Sequence, residues 1–394
     1  MRADPARRRP ICVKDGDWMD SYTRHQKIWR ILYVLVNRWI CRKFNMQHED
    51  LDLDGPVLLI PNHVSAWDPL LVAMSLKRKQ VYYVASEHIF RLGPVTKLLN
   101  WLVAPIPRRK ASSGADTVKA CLRHLREGHS VCLFAEGEQS WDGLTQPIFP
   151  ATGKLARSSG ATLVTYRIEG GYLSLPRWGK GVRRGSVYGH PVHVYPPEQL
   201  KKMSPAQINE SIQRDISENA WERQRIAPVS YRGRRRAEGL EKALYLCPRC
   251  HQIGTLRTKD DRLFCSCGLT LRYAETGFFD PPEPFETIAD WDAWQRRALR
   301  SMDKPAGELL FSDEGMTLSR IGAGHEEEPL GTADLRQYAD RLCCGDHTFL
   351  LEEISSMAMV QANLLLLSYR DSYYQIRAEK GANLRKYLEL WKEK

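Results

Sequence analysis

The residues with the clearest chemical potential lie in "PNHVSAWDPLL", residues 61–71, which sets His63 and Asp68 five positions apart. On a straight helix such residues point about 140° away from each other, given 3.6 residues per turn. They meet only if the chain turns between them. In that turn a carboxylate beside Nδ1 fixes the imidazole tautomer and leaves Nε2 free as a base. A hydroxyl held against Nε2 then becomes a competent nucleophile. A second constellation is Cys247, Cys250, Cys265 and Cys267, spaced C-x2-C-x14-C-x-C. Four thiolates on two knuckles suit a tetrahedral zinc site, with disulfides or free thiols as the competing readings. A closed four-sulfur site has no open position for substrate, so it points to structure or docking.

The turn carrying His63 needs a strand before it and a helix after it. "VLLI", behind Gly55-Pro56, reads as a buried strand. Asp68-Pro69 reads as an N-cap followed by proline at the first helical position, with the helix running through "PLLVAMSLKR". A second buried strand, in "SVCLFAEGEQS", ends at Glu136 and Gly137. In parallel α/β sheets ligands bind at the carboxyl ends of strands, so the two polar turns are expected to line one site. Between them, "LGPVTKLLNWLVAPIPRRKASS" has an apolar body and a basic end at Arg108, Arg109 and Lys110. Arginine there suits a bidentate phosphate contact; a solvated basic turn is the other reading.

Taken in order, these segments resemble the glycerolipid acyltransferases of the 1-acylglycerol-3-phosphate type. The family's first motif is His-x4-Asp, its second an arginine after a short strand, here Arg108 in "VAPIPR", and its third Phe-Pro-Glu-Gly-Thr-Arg. Its fourth, a hydrophobic strand with a proline, has a weak counterpart in "GATLVTYRIEG". The resemblance implies a mixed α/β sheet flanked by helices. It implies a fatty acyl transfer from a CoA or acyl-carrier-protein thioester to a lysophospholipid hydroxyl, with lysophosphatidic acid as the pattern. His63 would be the general base and Asp68 its orienting partner. Glu136 and Gly137 would shape the acceptor site, Arg108 would meet a phosphate, and no redox cofactor is called for. The third motif departs from the family: Glu138 and Gln139 stand where threonine and arginine are expected. Either Lys154 or Arg157 would then supply the missing charge, or the acceptor would be something other than a simple phosphate monoester.

The chain of 394 residues is too long for one ordinary core. Residues 1–245 hold 39 Lys+Arg and 23 Asp+Glu, and residues 246–394 hold 19 and 24, so a balance of +16 is followed by one of −5. A basic first half fits anionic partners: a phospholipid surface, the phosphates of coenzyme A, or nucleic acid. No apolar run is long enough to span a bilayer, and the first ten residues are polar and arginine-rich, unlike a signal peptide. Residues 25–44 read as an amphipathic interfacial helix, with Trp29 and Trp39 among aliphatics and flanking cations. Packing on the domain's own core is the alternative. The expected location is the cytoplasmic side of the cell membrane, peripheral or monotopic, since the other six cysteines show no disulfide framework.

The expected organisation is an N-terminal tail (1–24), an acyltransferase domain (25–225), a basic linker (226–242), a zinc ribbon (243–275) and a small α+β C-terminal domain (276–394). The ribbon would bind structural zinc, and the acyltransferase domain is expected to work without the ribbon and the C-terminal domain. "GTLRTKDDRLFC" reads as a hairpin turning at Asp260-Asp261, "SDEG" and "RDS" as turns of two further hairpins, and "NLRKYLELWKEK" as a closing helix. Strands closed by one helix resemble, in topology alone, a pleckstrin-homology-like barrel. The ribbon and this domain are candidate docking surfaces for a protein partner. Nucleic acid is not expected, because the "YRGRRRAEG" charge run has no aromatic platform. The competing function is a zinc-ribbon regulatory or nucleic-acid-associated protein whose acyltransferase-like domain only binds lipid.

Overall fold

A computed structural model describes residues 15–86, 89–90, 94–108, 114–322, 326–378 and 381–393. Arg109 and Lys110 lie outside the described residues. Seven strands form the first sheet: β1 (Met46–His48), β2 (Val57–Pro61), β3 (Val81–Ser86), β4 (Ile106–Arg108), β5 (Ser130–Cys132), β6 (Thr162–Glu169) and β7 (Val187–Tyr195). Their spatial order is β1-β7-β6-β2-β5-β3-β4. All neighbours are parallel except β6 and β7, so the sheet is mixed. Alternation along β2 explains the layering. Val57 and Leu59 join one core, Leu58 and Ile60 the other, and all four are buried.

Helices cover both faces. The chain runs through α1 (Asp15–Phe44), α2 (Asp68–Ala73), α3 (Pro94–Leu102), α4 (Ala115–Arg126), α5 (Ala151–Ser159), α6 (Gly171–Ser174), α7 (Pro197–Lys202), α8 (Pro205–Ile216) and α9 (Ala220–Ile226). Ser204 and Gln207 form a capping box at the start of α8. The helix ends before Ser217, and Asn219 caps α9 with its side chain.

Strands β8 (Leu256–Lys259), β9 (Arg262–Cys265), β10 (Thr270–Tyr273) and β11 (Phe279–Asp280) make a small antiparallel sheet. Its first hairpin turns at Asp260-Asp261, with Asp260 at φ +54°. After α10 (Ile288–Ser301) come seven antiparallel strands: β12 (Leu309–Ile321), β13 (Glu327–Tyr338), β14 (Arg341–Cys344), β15 (His347–Leu350), β16 (Ile354–Val360), β17 (Leu364–Tyr369) and β18 (Ser372–Ala378). They are ordered β15-β14-β13-β12-β18-β17-β16, and α11 (Arg385–Lys392) packs on them through buried Tyr387 and Leu388.

Several sequence expectations change. α1 begins at Asp15, inside the stretch read as a tail. Asp68 is the first residue of α2, not its cap, and that helix stops at Ala73 rather than continuing to Arg78. "SDEG" is no turn: β12 passes straight through it, and a bulge at Gly315 (φ +68°) absorbs the irregularity before pairing resumes at Met316. The basic stretch after α9 is no free linker. Tyr231 and Ala237 are buried, Arg232 exchanges backbone hydrogen bonds with Arg184, and Arg236 reaches Asp261 at 3.1 Å. One hydrophobic core runs without interruption from Ile40 through Leu246, Leu263 and Leu271 to Leu390.

Candidate active site

The turn between β2 and α2 is closed by one carboxylate. Asp68 is fully buried, and its Oδ2 accepts from His63 Nδ1 at 2.7 Å, Val64 N at 2.6 Å and Ser65 N at 2.9 Å. Its Oδ1 accepts from Ser65 Oγ at 2.7 Å. The bend that the five-residue spacing demands is therefore built by Asp68 itself. With Nδ1 engaged, Nε2 is the position left for proton exchange, on a ring that is 17% exposed. That ring stacks on Phe134, centroid to centroid 4.3 Å. Asn62, also fully buried, ties the end of β2 to β6 by exchanging hydrogen bonds with Ile168 at 3.1 and 2.7 Å.

Glu136 is brought beside His63, but it holds backbone. One carboxylate oxygen accepts from His63 N and the other from Gln146 N, both at 2.6 Å. Burial pushes its pKa up to about 8, against the pull of those two amides. Ser140 N donates to His63 O at 2.9 Å, so the 136–140 segment grips the His63 peptide from both sides. Gly137, at φ +73°, has no room for a side chain: a Cβ would sit 2.3 Å from the Phe149 ring. Arg108, at the end of β4, lies 5.7 Å from the same ring, and burial holds its pKa below the ordinary arginine value. Lys154 is exposed on α5, and no contact among the described residues ties it to the His63 cluster. Arg157 turns to the Lys201 carbonyl. Sequence reasoning missed Asn62, Ser65 and Ser140, which sit beside motif residues, and Arg177, which no pattern marks.

The four cysteines converge. Cys247 and Cys267 Sγ are 3.7 Å apart, as are Cys250 and Cys265, and all four sulfurs lie within 4.8 Å of one another. A tetrahedron with Zn–S of about 2.3 Å has edges of about 3.8 Å. A backbone turn lies at each cysteine pair: His251 N donates to Cys247 O, four residues back, and Gly268 N to Cys265 O, three residues back. His124, Glu127 and His129 also gather. There the ring centroids are 5.7 Å apart and the Nδ1 atoms 3.4 Å apart. The difference is two ring radii, so the nitrogens face each other rather than a shared ion.

Part of the chain is similar to known proteins. Residues 43–169 match the Acyltransferase family model. The chain is similar to a chloroplastic 1-acyl-sn-glycerol-3-phosphate acyltransferase of Arabidopsis thaliana, 26% identical over 40% of this chain and 46% of that protein. It is similar also to a 1-acyl-sn-glycerol-3-phosphate acyltransferase of Borreliella burgdorferi, 25% identical over 40% of this chain and 61% of that protein. The chain thus spans between about half and three fifths of these relatives. The crystal structure of the 1-acyl-sn-glycerophosphate acyltransferase of Thermotoga maritima aligns at 15% identity and TM-score 0.40, over 52% of this chain and 83% of that one. That likeness is too loose to carry an argument.

Proposed function

We propose that this chain is an O-acyltransferase that moves a fatty acyl group from a CoA or acyl-carrier-protein thioester to the hydroxyl of a lysophosphatidic acid-like acceptor. The observation that carries the reading is the His63 Nδ1–Asp68 contact of 2.7 Å within the matched region. Nε2 takes the hydroxyl proton as the oxygen forms its bond to the thioester carbon. The tetrahedral intermediate collapses, the C–S bond breaks, and the thiolate leaves with the proton from Nε2. Arg108 is read as the cation that meets the acceptor's phosphate, and Gly137 as the floor beneath Phe149. Mass spectrometry of the lipids formed from labelled acyl-CoA and a panel of lysolipids tests this. Product with a lysophosphatidic acceptor is the expected result; no acyl product with any acceptor or donor would sink it.

The four-cysteine cluster is read as a structural zinc ribbon. The seven-stranded unit is read as pleckstrin-homology-like, because its first strand lies between the second and seventh and a helix closes it.

The site is proposed to work at a membrane surface. Among the described residues no helix is long and apolar enough to cross a membrane. Ile31, Val34, Leu35 and Trp39 on α1 are each more than half exposed, and Trp101 on α3 continues the apolar face beside Arg24. The face reaches the catalytic turn: Trp39 lies 5.8 Å from Trp67, next to Asp68, and Lys43 stacks over Trp67 at 4.0 Å. Trp29 does not belong to it, since its Nε1 donates to Leu76 O at 2.7 Å and its ring packs on Tyr33. Apolar side chains and cations on one helix suit the headgroup boundary of anionic lipid. Changing Leu35 and Trp39 to serine is therefore expected to reduce sedimentation with anionic vesicles severalfold without lowering the melting temperature. Trp29→Ser is expected to lower the melting temperature instead. Vesicle binding indifferent to lipid charge, salt and the Leu35/Trp39 pair would move the membrane contact elsewhere.

A further inference from the structure

The third motif departs from its family at Glu138 and Gln139, and the structure shows what occupies that neighbourhood. Arg177 enters from the turn after α6, with its side chain only 2% exposed. Its Nη1 donates to Gln139 O at 2.9 Å and lies 3.5 Å from Glu138 Oε2. Its Nη2 donates to the carbonyl of Gln361, in the β16–β17 turn, at 2.5 Å. The guanidinium lies 3.9 Å above the Trp141 ring, and Arg385 of α11 lies 5.1 Å from the same ring. Burial pushes the Arg177 pKa down to about 10, and Glu138 opposes that push, which gives the acid at 138 a purpose. The next residue, Asp142, meets Arg296 of α10 at 3.4 Å. Arg296 and Arg385 converge in turn on Asp292, at 3.0 and 2.7 Å. The segment that grips the His63 peptide through Glu136 and Ser140 is thus gripped itself from the C-terminal half of the chain.

We propose that Arg177 is a positioning residue for His63, fixing residues 138–142 against the β16–β17 turn so that Glu136 and Ser140 hold the imidazole in register. The inference rests on His63 being the base. Arg177 is closed to an acceptor's phosphate, because it is buried and both terminal nitrogens are engaged. The C-terminal unit then belongs to the catalytic geometry of the enzyme.

The test uses full-length Arg177→Ala and Arg177→Lys, each alone and combined with His63→Ala, on an acyl-CoA and lysophosphatidic acid pair. In Arg177→Ala, kcat per folded molecule is expected to fall about 10- to 100-fold, with KM for the donor within about twofold. Arg177→Lys should fall less. Because Arg177 acts only through His63, adding Arg177→Ala to His63→Ala should cost nothing further. A purely architectural arginine would lower the folded fraction and melting temperature and leave kcat per folded molecule alone. Wild-type kcat in either folded variant, or additive losses, overturns the proposal. Should Arg177→Ala fail to fold, Arg177→Lys carries the test. Wild-type turnover in His63→Ala alone would instead show that the base reading failed, and this inference would fall with it.

Discussion

His63→Ala is expected to lower acyl transfer about 10²- to 10⁴-fold, the usual cost of losing a general base. The fold should survive, because the imidazole ring contributes one stack on Phe134 and one of the four hydrogen bonds to Asp68, whereas the turn is held by hydrogen bonds that alanine keeps. Those are Glu136 to the backbone of residue 63, Ser140 N to its carbonyl, and Asp68 to the amides of Val64 and Ser65. Steady-state turnover and thermal melting of the purified variant check both halves of the expectation. Asp68→Asn is a different lesion. Asp68 accepts four hydrogen bonds, and an amide must turn an N–H₂ towards at least one of those donors. It should therefore lose both rate and melting temperature. Turnover near wild type in a folded His63→Ala protein would remove the base mechanism altogether.

The parts of this site that were legible in the sequence are local. The His63–Asp68 pair spans five positions, and Asp260-Asp261 is a turn that one hairpin decides alone. The "RDS" turn was legible for the same reason: β17 and β18 pair across Arg370-Asp371, with Arg370 at φ +51°. Non-local packing was not legible. "SDEG" has turn chemistry, yet pairing with β13 before and after it overrode that chemistry and left a bulge at Gly315. Trp29 and Trp39 look alike on an amphipathic helix, and only the Leu76 carbonyl separates the packed one from the exposed one. Arg177 reaches Gln139 across 38 positions and Gln361 across 184, so nothing in its own neighbourhood announces a task. The chain divided cleanly on composition and charge, but the core does not respect that division. Leu246, Leu256, Leu263 and Leu271 belong to the same apolar cluster as Trp221 and Leu388.

That shared core changes what zinc removal should do. An independent ribbon would unfold alone and leave the first half active, as its sequence suggests. Here the four-cysteine segment is wedged between its neighbours. Trp291 of α10 donates to Leu246 O at 2.9 Å, Tyr245 N donates to Gln295 at 2.9 Å, and Arg385 of α11 donates to Ala243 O at 3.0 Å. On the other side, Tyr231 N donates to Glu275 O, and Gly277 leaves no space for a Cβ against Leu173. Structural zinc supplies on the order of 10 kcal/mol of apparent binding energy in small fingers, comparable with the whole stability of an ordinary domain. Cys265→Ser, or removal of the metal by a strong chelator, is therefore expected to abolish zinc binding, collapse the melting transition and extinguish acyl transfer together. Wild-type protein should carry close to one zinc per chain. A chain cut at residue 240 should be inactive for the same reason, having lost Gln361, Arg296, Arg385 and much of the core. Elemental analysis, thermal melting and turnover on the same samples read all three quantities. Metal-free protein that melts like wild type would remove zinc from the cysteine cluster. A metal-free or truncated protein that still turns over would show instead that the first half holds His63 in place unaided.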